Sequence, residues 1–331
     1  MPPPFFTIVI PTCNRAGLLQ ATLDAVLSQT FGDFEVIVQD NASTDGTREL
    51  VAGHADPRLR YLRQKELVHV GRNWADGAAA AVGEYVIINQ DDDLLHRDFL
   101  LRCHQAVAGR KDVAMYAAPA WREERGRGYK ARLLRTNEGY VHDFLLKDQI
   151  LYMDGPRMAV SLLNLVFYFL QPSVAIRRET MLRSGGYESR ADCQFDIMTQ
   201  ARVLMHGSLA YDPRPGAMYR DHEANTWKTY SRSLRKKLLS QTLVLIIADL
   251  VKAGIPWEQH LDAELKGCSK RDLEKALKDW CWCGAPAILT EKAAQELRRR
   301  QPSGSSLIFN ARLIRKLGWR YLKQRLSKTR T

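Results

Sequence analysis

The chain has 331 residues, 45% apolar and 26% charged, with glycine and proline at ordinary levels. That composition excludes fibrous, collagen-like and wholly disordered classes and allows one large domain or two modest ones. The formal charge of +12 comes from 49 basic and 37 acidic residues. The excess is local: no acidic residue follows Glu296, and Leu297 to Thr331 holds eleven Lys and Arg, so 38 basic and 37 acidic residues remain before it.

The first hundred residues alternate short apolar runs with helical patterns. Phe5 to Ile10 reads as a strand that ends at Pro11, because proline cannot donate to a central ladder. Leu19, Leu23, Val26 and Leu27 recur on one face of a helix. Phe34 to Gln39 is a second strand, Leu59 to Leu62 and Tyr85 to Ile88 are two more, and Ala75 to Val82 is a helix between those two. This alternation predicts parallel strands with right-handed crossovers, and ligands of such sheets sit outside the strands' carboxyl ends. Farther on, Arg122 to Arg135 reads as a loop and Pro172 to Ile176 as a strand. From Ser231 the pattern is helical, with Gly254 and Pro256 as a stop, a capping box at Ser269 to Asp272, and a linker over residues 301–306.

The six cysteines (Cys13, Cys103, Cys193, Cys268, Cys281 and Cys283) are dilute and form no CxxC pair. They are expected to be free thiols in a reducing compartment. Met1 to Phe5 lacks the positive start and apolar core of a signal peptide. The longest apolar run, Leu162 to Leu170, is about half the ~20 residues of a spanning helix. The expected location is cytoplasmic, or peripheral on the cytoplasmic face of a membrane.

Two polar clusters follow strands. Asp40-Asn41-Ala42-Ser43-Thr44-Asp45-Gly46 can offer a carboxylate to a nucleobase or ribose, or can simply be an Asx-rich turn that caps the next helix. Asn89-Gln90-Asp91-Asp92-Asp93 sets three carboxylates in a row after a buried strand. They repel one another unless a cation or solvent intervenes. Hard divalent ions bind through one or two carboxylates plus substrate phosphates, which fits this edge of the sheet.

The blocks Thr7 to Arg15, Asp40 to Asp45, and Gly83-Glu84-Tyr85 leading into Asp91 to Asp93 resemble family 2 glycosyltransferases over roughly residues 5 to 228. The resemblance implies an inverting, nucleotide-sugar-dependent enzyme of the GT-A fold. It implies that Pro11, Thr12 and Asn14 border the nucleotide, that Asp40 contacts its base, and that Asn73 and Asp91 help to hold the nucleotide sugar. The acidic block matches the family's DxD motif with Gln90 in place of its first Asp. Asp92 and Asp93 are then candidate ligands of Mg²⁺ or Mn²⁺. Gly185-Gly186-Tyr187 and the following Asp192 to Asp196 resemble the family's Gly-Gly-Phe and Glu-Asp elements, with Ala191 in place of the Glu. Asp192 is the expected catalytic base and Asp196 the reserve. Tyr219-Arg220-Asp221-His222 resembles the Tyr-Arg-x-His element, which implies Arg220 at the phosphates and His222 at the metal or diphosphate.

The basic tail predicts an amphipathic helix over Leu307 to Leu326, with Arg312, Lys316, Arg320 and Lys323 on one side. Such a helix suits an anionic membrane interface; packing on the main body is the alternative. Nucleic acid is not expected as a partner, because the main body is neutral and carries no reader motif. A nucleotidyltransferase would need a Gly-rich phosphate loop after the first strand, and Pro11 to Asn14 is not one.

The expected architecture is thus α/β: a GT-A-type doubly wound, mostly parallel sheet with a helical C-terminal extension. Residues 1–228 form the catalytic domain (1–115 nucleotide-binding, 116–228 acceptor-binding) and 229–331 the basic extension. The expected reaction transfers a sugar from a nucleoside diphosphate donor to a glycan or lipid-linked acceptor in surface polysaccharide synthesis. The rival is a non-catalytic nucleotide- or glycan-binding scaffold.

Overall fold

A computed structural model describes residues 2–123, 132–133, 149–164, 169, 171–187, 194–220, 222, 225, 229–268 and 270–300. The first half alternates as β1 (Phe6–Thr12), α1 (Ala16–Leu27), β2 (Phe34–Asp40), α2 (Thr47–Ala52), β3 (Leu59–Arg63), α3 (Val70–Ala79) and β4 (Tyr85–Ile88). Next come β5 (Leu94–Leu95), α4 (Phe99–Val107), β6 (Val113–Ala117), β7 (Ala120–Glu123), β8 (Arg132–Leu133), β9 (Leu151–Met153) and α5 (Gly155–Ser161). The last strands and their helices are β10 (Val174–Arg177), α6 (Arg178–Arg183), α7 (Phe195–Leu204), β11 (Ser208–Tyr211) and β12 (Ala217–Arg220). Four helices close the described chain: α8 (Arg232–Lys252), α9 (Trp257–Gly267), α10 (Lys270–Cys283) and α11 (Ala287–Arg299).

Eight strands form the central sheet in the order β3-β2-β1-β4-β10-β6-β11-β9. The β3-β2-β1-β4 block and the β6–β11 pair are parallel, while β10 and β9 pair antiparallel. Strands buried on both faces are continuous apolar runs, and β1, β2 and β4 are buried along their whole length. Successive residues point to opposite faces. Ile8, Ile10, Val36 and Val38 accordingly pack on the α1 and α4 side, and Val9, Ile37, Val86 and Ile88 on the α3 and α7 side. Gly83 permits the entry into β4, since a Cβ there would lie 2.5 Å from the Thr7 backbone nitrogen.

β1 does not stop before Pro11 but runs through it to Thr12. Val9 gives its carbonyl to Asn89 on the β4 side, and Thr12 gives its carbonyl to Asn41 on the β2 side. By that alternation Pro11 turns toward β4, and the β1–β4 ladder has already ended at Val9–Ile88. The missing N–H therefore leaves no gap. α3 begins five residues before the apolar pattern indicates, because His69 Nδ1 caps it by accepting the Gly71 N–H at 3.2 Å. Histidine is not among the common capping residues. Residues 171–173 form a 3₁₀ turn, so the following strand starts at Val174 rather than Pro172. Within the Arg122 to Arg135 stretch, the strand backbone continues to Glu123, and Arg132–Leu133 pairs with it antiparallel.

A second sheet, β5-β12-β7-β8, determines where the later chemistry falls. β5 follows the acidic block directly, and β12 pairs with it through Leu94–Met218 and Leu95–Ala217. That pairing carries Arg220 and His222 back to Asp91–Asp93.

α8 starts as expected, with the Ser231 hydroxyl accepting the Leu234 N–H at 3.1 Å. Leu243, Ile246, Leu261, Leu273 and Trp280 of α8 to α10 belong to the same apolar cluster as Val9 and Met198. The helical extension is thus continuous with the core on one face of the sheet. The Ser269 capping box, the linker at 301–306 and the Leu307 to Leu326 helix lie outside the described residues. Among the described residues, no helix is long and apolar enough to cross a membrane.

Trp280 is fully buried and donates its indole N–H to the Leu163 carbonyl at 2.7 Å. Trp280→Phe leaves that carbonyl unpaired, at an expected cost of about 1–3 kcal/mol. A lowered urea midpoint checks this.

Candidate active site

The carboxyl ends of β1, β2 and β4 lie side by side, with Thr12 opposite Asp40 in register. From this edge the chain turns into three loops, and the site is built from them.

The acidic block is buried: Asp91, Asp92 and Asp93 are 3%, 6% and 1% exposed. Burial of carboxylates without compensation is costly, and here cations and hydroxyls supply it. Thr12 Oγ1 donates to Asp91 Oδ2 at 2.8 Å. Arg15 Nη1 donates to Asp91 Oδ1 and to Asp92 Oδ2, each at 3.1 Å. His222 Nε2 lies 2.9 Å from that same Asp92 oxygen. Arg220 gives its backbone N–H to Asp93 Oδ1 at 3.1 Å, and its guanidinium bonds the carbonyls of Asp92 and Leu18 and the Thr22 hydroxyl. Thr22 in turn donates to the Asp91 carbonyl at 2.8 Å.

Burial, with Asp92 adding repulsion, pushes the Asp91 carboxyl up to about 6 against the opposing pull of Arg15. Asp93 is raised well above the carboxylate range, first by burial and then by Asp92. Asp93 Oδ2 is buried with no hydrogen-bond partner.

Among the described residues, no three His, Cys, Asp or Glu side chains converge as a metal cage. A full cage is not what a divalent ion at a diphosphate requires, since one or two carboxylates with phosphate and water complete its shell. The pair Asp92 and His222, 2.9 Å apart, fits that partial donor set.

The nucleotide-side residues are laced together. Asn14, at φ 52°, accepts the Thr44 N–H at 2.7 Å through Oδ1, and its own N–H donates to Ser43 Oγ at 2.9 Å. Asp45 Oδ2 accepts the Ala16 N–H at 3.0 Å. Ala42 also sits at positive φ, 57°, a conformation that costs a non-glycine residue energy and persists only where its surroundings enforce it.

Asp40 is fully buried beneath this turn. Its carboxylate accepts from the Ser43 hydroxyl and N–H and from Tyr61 at 2.5 Å, with Arg63 at 3.8 Å. Asn73 is likewise buried; its Nδ2 donates to the Gln39 carbonyl at 3.0 Å, tying α3 to the end of β2. Pro11, Thr12, Asn14, Asp40, Asn73, Asp91, Asp92, Asp93, Arg220 and His222 therefore line or underlie one edge. The Arg220 guanidinium faces inward, onto the acidic block's backbone.

Asp192 lies outside the described residues. Asp196, in the first turn of α7, is half-buried, and burial raises its carboxyl. Its neighbour Phe195 packs edge-on against Trp74 of α3, with ring centroids 4.9 Å apart. This contact fixes α7 against the helix that bears Asn73. Gly186, at φ +68°, ends α6 by donating its N–H to the Met181 carbonyl at 2.8 Å, so that glycine block is a helix stop.

Sequence reasoning assigned no role to Arg15, Tyr61 or Thr22. Arg15 had a readable signal, a lone cation at a helix start on the strand edge that faces three carboxylates. Tyr61 and Thr22 had none, because their partners are 21 and 69 residues away.

A family model described as "Glycosyl transferase family 2" matches residues 7–182. The chain belongs to glycosyl transferase family 2. It is 46% identical over 67 residues to validoxylamine A glucosyltransferase of Streptomyces hygroscopicus, covering 19% of this chain and 16% of that protein. It is 35% identical over 95 residues to the GalNAc(5)-diNAcBac-PP-undecaprenol beta-1,3-glucosyltransferase of Campylobacter jejuni, covering 28% and 31%. The matches thus span less than a third of either relative.

Two solved structures share the fold over nearly the whole chain. TarS 1–349 of S. aureus, in complex with UDP-GlcNAc, superposes with a TM-score of 0.57 at 13% identity, covering 90% of this chain and 93% of that one. The mannosyltransferase PcManGT of Pyrobaculum calidifontis, in complex with GDP-Man and Mn²⁺, does so with 0.54 at 21% identity, covering 94% and 80%. The fold is the expected GT-A-type α/β architecture with helices at its C-terminal end.

Tyr61→Phe removes one donor from the buried Asp40 carboxylate. The expected loss is about 1–3 kcal/mol, read as a lower thermal midpoint with unchanged far-UV circular dichroism.

Proposed function

We propose that the protein is a metal-dependent, inverting glycosyltransferase that moves a sugar from a nucleoside diphosphate donor to a hydroxyl of a glycan or lipid-linked glycan. The observation that carries this reading is the meeting of Thr12, Asp91, Asp92 and His222 at one buried edge, from segments as far apart as β1 and the chain beyond β12. A buried carboxylate block with an imidazole beside it has little structural purpose that apolar residues would not serve better.

Pro11, Thr12 and Asn14 border the nucleotide. Asp40, Asn73 and Asp91 form the floor beneath it, with Asp40 fixing the turn through Ser43. Mg²⁺ or Mn²⁺ would be held by Asp92 and His222 with Asp93 as a further oxygen donor, and would neutralise charge gathering on the leaving diphosphate. Arg220 keeps the acidic block in place through that block's backbone carbonyls, and its role at the phosphates is to hold the block against them.

Transfer with inversion is one displacement. The acceptor oxygen bonds to the anomeric carbon, the bond to the diphosphate breaks on the opposite face, and a base takes the hydroxyl proton. Asp192 is that base, with Asp196 as the reserve carboxylate. Such help is worth about 10²–10⁴ in rate.

Residues 1–228 carry the chemistry, 1–115 on the donor side and 116–228 on the acceptor side. The extension 229–331 brings a basic end that holds the enzyme at the cytoplasmic face of an anionic membrane. The named action of the Campylobacter relative on an undecaprenol-linked glycan supports a lipid-linked acceptor.

Thermal stability should rise with one nucleotide among UDP, GDP, dTDP and CMP, and only when Mn²⁺ is present. The gain at a hundred times Kd is about 2.7 kcal/mol, and Asp92→Asn should abolish it. Stabilisation by none of them would favour the scaffold reading. With the donor so identified, Asp192→Asn should lower kcat by about 10²–10⁴ while the donor KM stays within a few-fold.

A further inference from the structure

One oxygen, Asp92 Oδ2, is shared by two groups that cannot both keep it once a metal arrives. Arg15 Nη1 lies 3.1 Å from it and His222 Nε2 lies 2.9 Å from it. The same Arg15 nitrogen lies 3.1 Å from Asp91 Oδ1. A single cationic nitrogen therefore bridges the two adjacent carboxylates and stands next to the imidazole, where a divalent ion held by Asp92 and His222 would have to enter. Like charges at such separation repel strongly in a buried site.

Arg15 is also the more exposed member of these pairs. It is the residue preceding the first turn of α1 and makes no side-chain cap to that helix. Its side chain is 24% exposed, against 4% for Asp91 and 9% for Asp92. The carboxylates are fixed by buried neighbours, whereas the guanidinium reaches them from the open side. A displaced guanidinium is a good partner for the diphosphate oxygens of a donor.

We infer that Arg15 is a resident counter-ion of the acidic block: it neutralises Asp91 and Asp92 while the metal is absent, and metal binding requires its guanidinium to swing out. This inference rests on the proposed reading of Asp92 and His222 as metal ligands. It makes metal binding weak in the absence of nucleotide, because a bound cation must first be removed.

The test is Mn²⁺ binding to the full chain without nucleotide, followed by the electron paramagnetic resonance signal of free Mn²⁺. Arg15→Gln should bind Mn²⁺ at least tenfold more tightly than the wild type. Arg15→Lys, whose ammonium cannot hold both carboxylates with the guanidinium's geometry, should bind about threefold more tightly, and it decides the matter if the Gln variant does not fold. Unchanged or weaker Mn²⁺ binding in the folded variants overturns the role of Arg15. Adding Asp92→Asn to Arg15→Gln should erase the gain. Mn²⁺ binding that ignores Asp92→Asn in every background would instead overturn the metal site itself.

Discussion

Three consecutive carboxylates at the end of a buried strand are the constraint around which this protein is arranged. β4 delivers Asp91, Asp92 and Asp93 into a region from which water is largely excluded, where uncompensated charge is expensive. The compensation comes from three directions: Thr12 at the end of β1, Arg15 at the start of α1, and Arg220 and His222 at and just beyond the end of β12. Breaking a buried pair by removing one partner costs more than the pair itself contributes, so these elements are held together by what they would leave behind. The second sheet exists at the place that makes this possible, because β12 pairs with the two-residue strand that directly follows the acidic block.

The neighbouring loops are rigid for a related reason. The β1–α1 and β2–α2 turns exchange hydrogen bonds through Asn14, Ser43, Thr44 and Asp45, and Asp40 is locked beneath them by Ser43 and Tyr61. Backbone at positive φ in Asn14 and Ala42 is tolerated because these bonds over-determine it. An edge set in advance in this way would spend little of a bound ligand's free energy on ordering. The acidic block differs, since Arg15, which bridges Asp91 and Asp92, is 24% exposed and the two carboxylates are buried.

Much of this was legible in the sequence because it is local. The alternation of apolar runs with helical spacing marked β1 to β4, and the polar clusters after Gln39 and Ile88 marked the carboxyl edge of the sheet. What could not be read is non-local. Pro11 continues a central strand because the neighbouring ladder ends two residues earlier, which only the register of β4 reveals. The occupancy of Asp40 depends on Tyr61, and the inward turn of Arg220 depends on Leu18 and Thr22; neither pairing has a periodic signature. The family resemblance supplied residue positions, and the structure adds that several of them, Asp40 and Asn73 above all, are buried beneath the edge rather than standing on it.

The proposed metal–diphosphate site is the Asp92–His222 pair at the carboxyl edge of β1, β2 and β4. The most direct measurement is a crystal structure with Mn²⁺ and the bound nucleoside diphosphate, the ion located by its anomalous scattering. The expected result is an anomalous peak within coordination distance of Asp92 and His222 and in contact with the diphosphate, with the Arg15 guanidinium withdrawn from both carboxylates. An anomalous peak elsewhere, or a nucleotide bound at this edge while Arg15 still bridges Asp91 and Asp92, would contradict it.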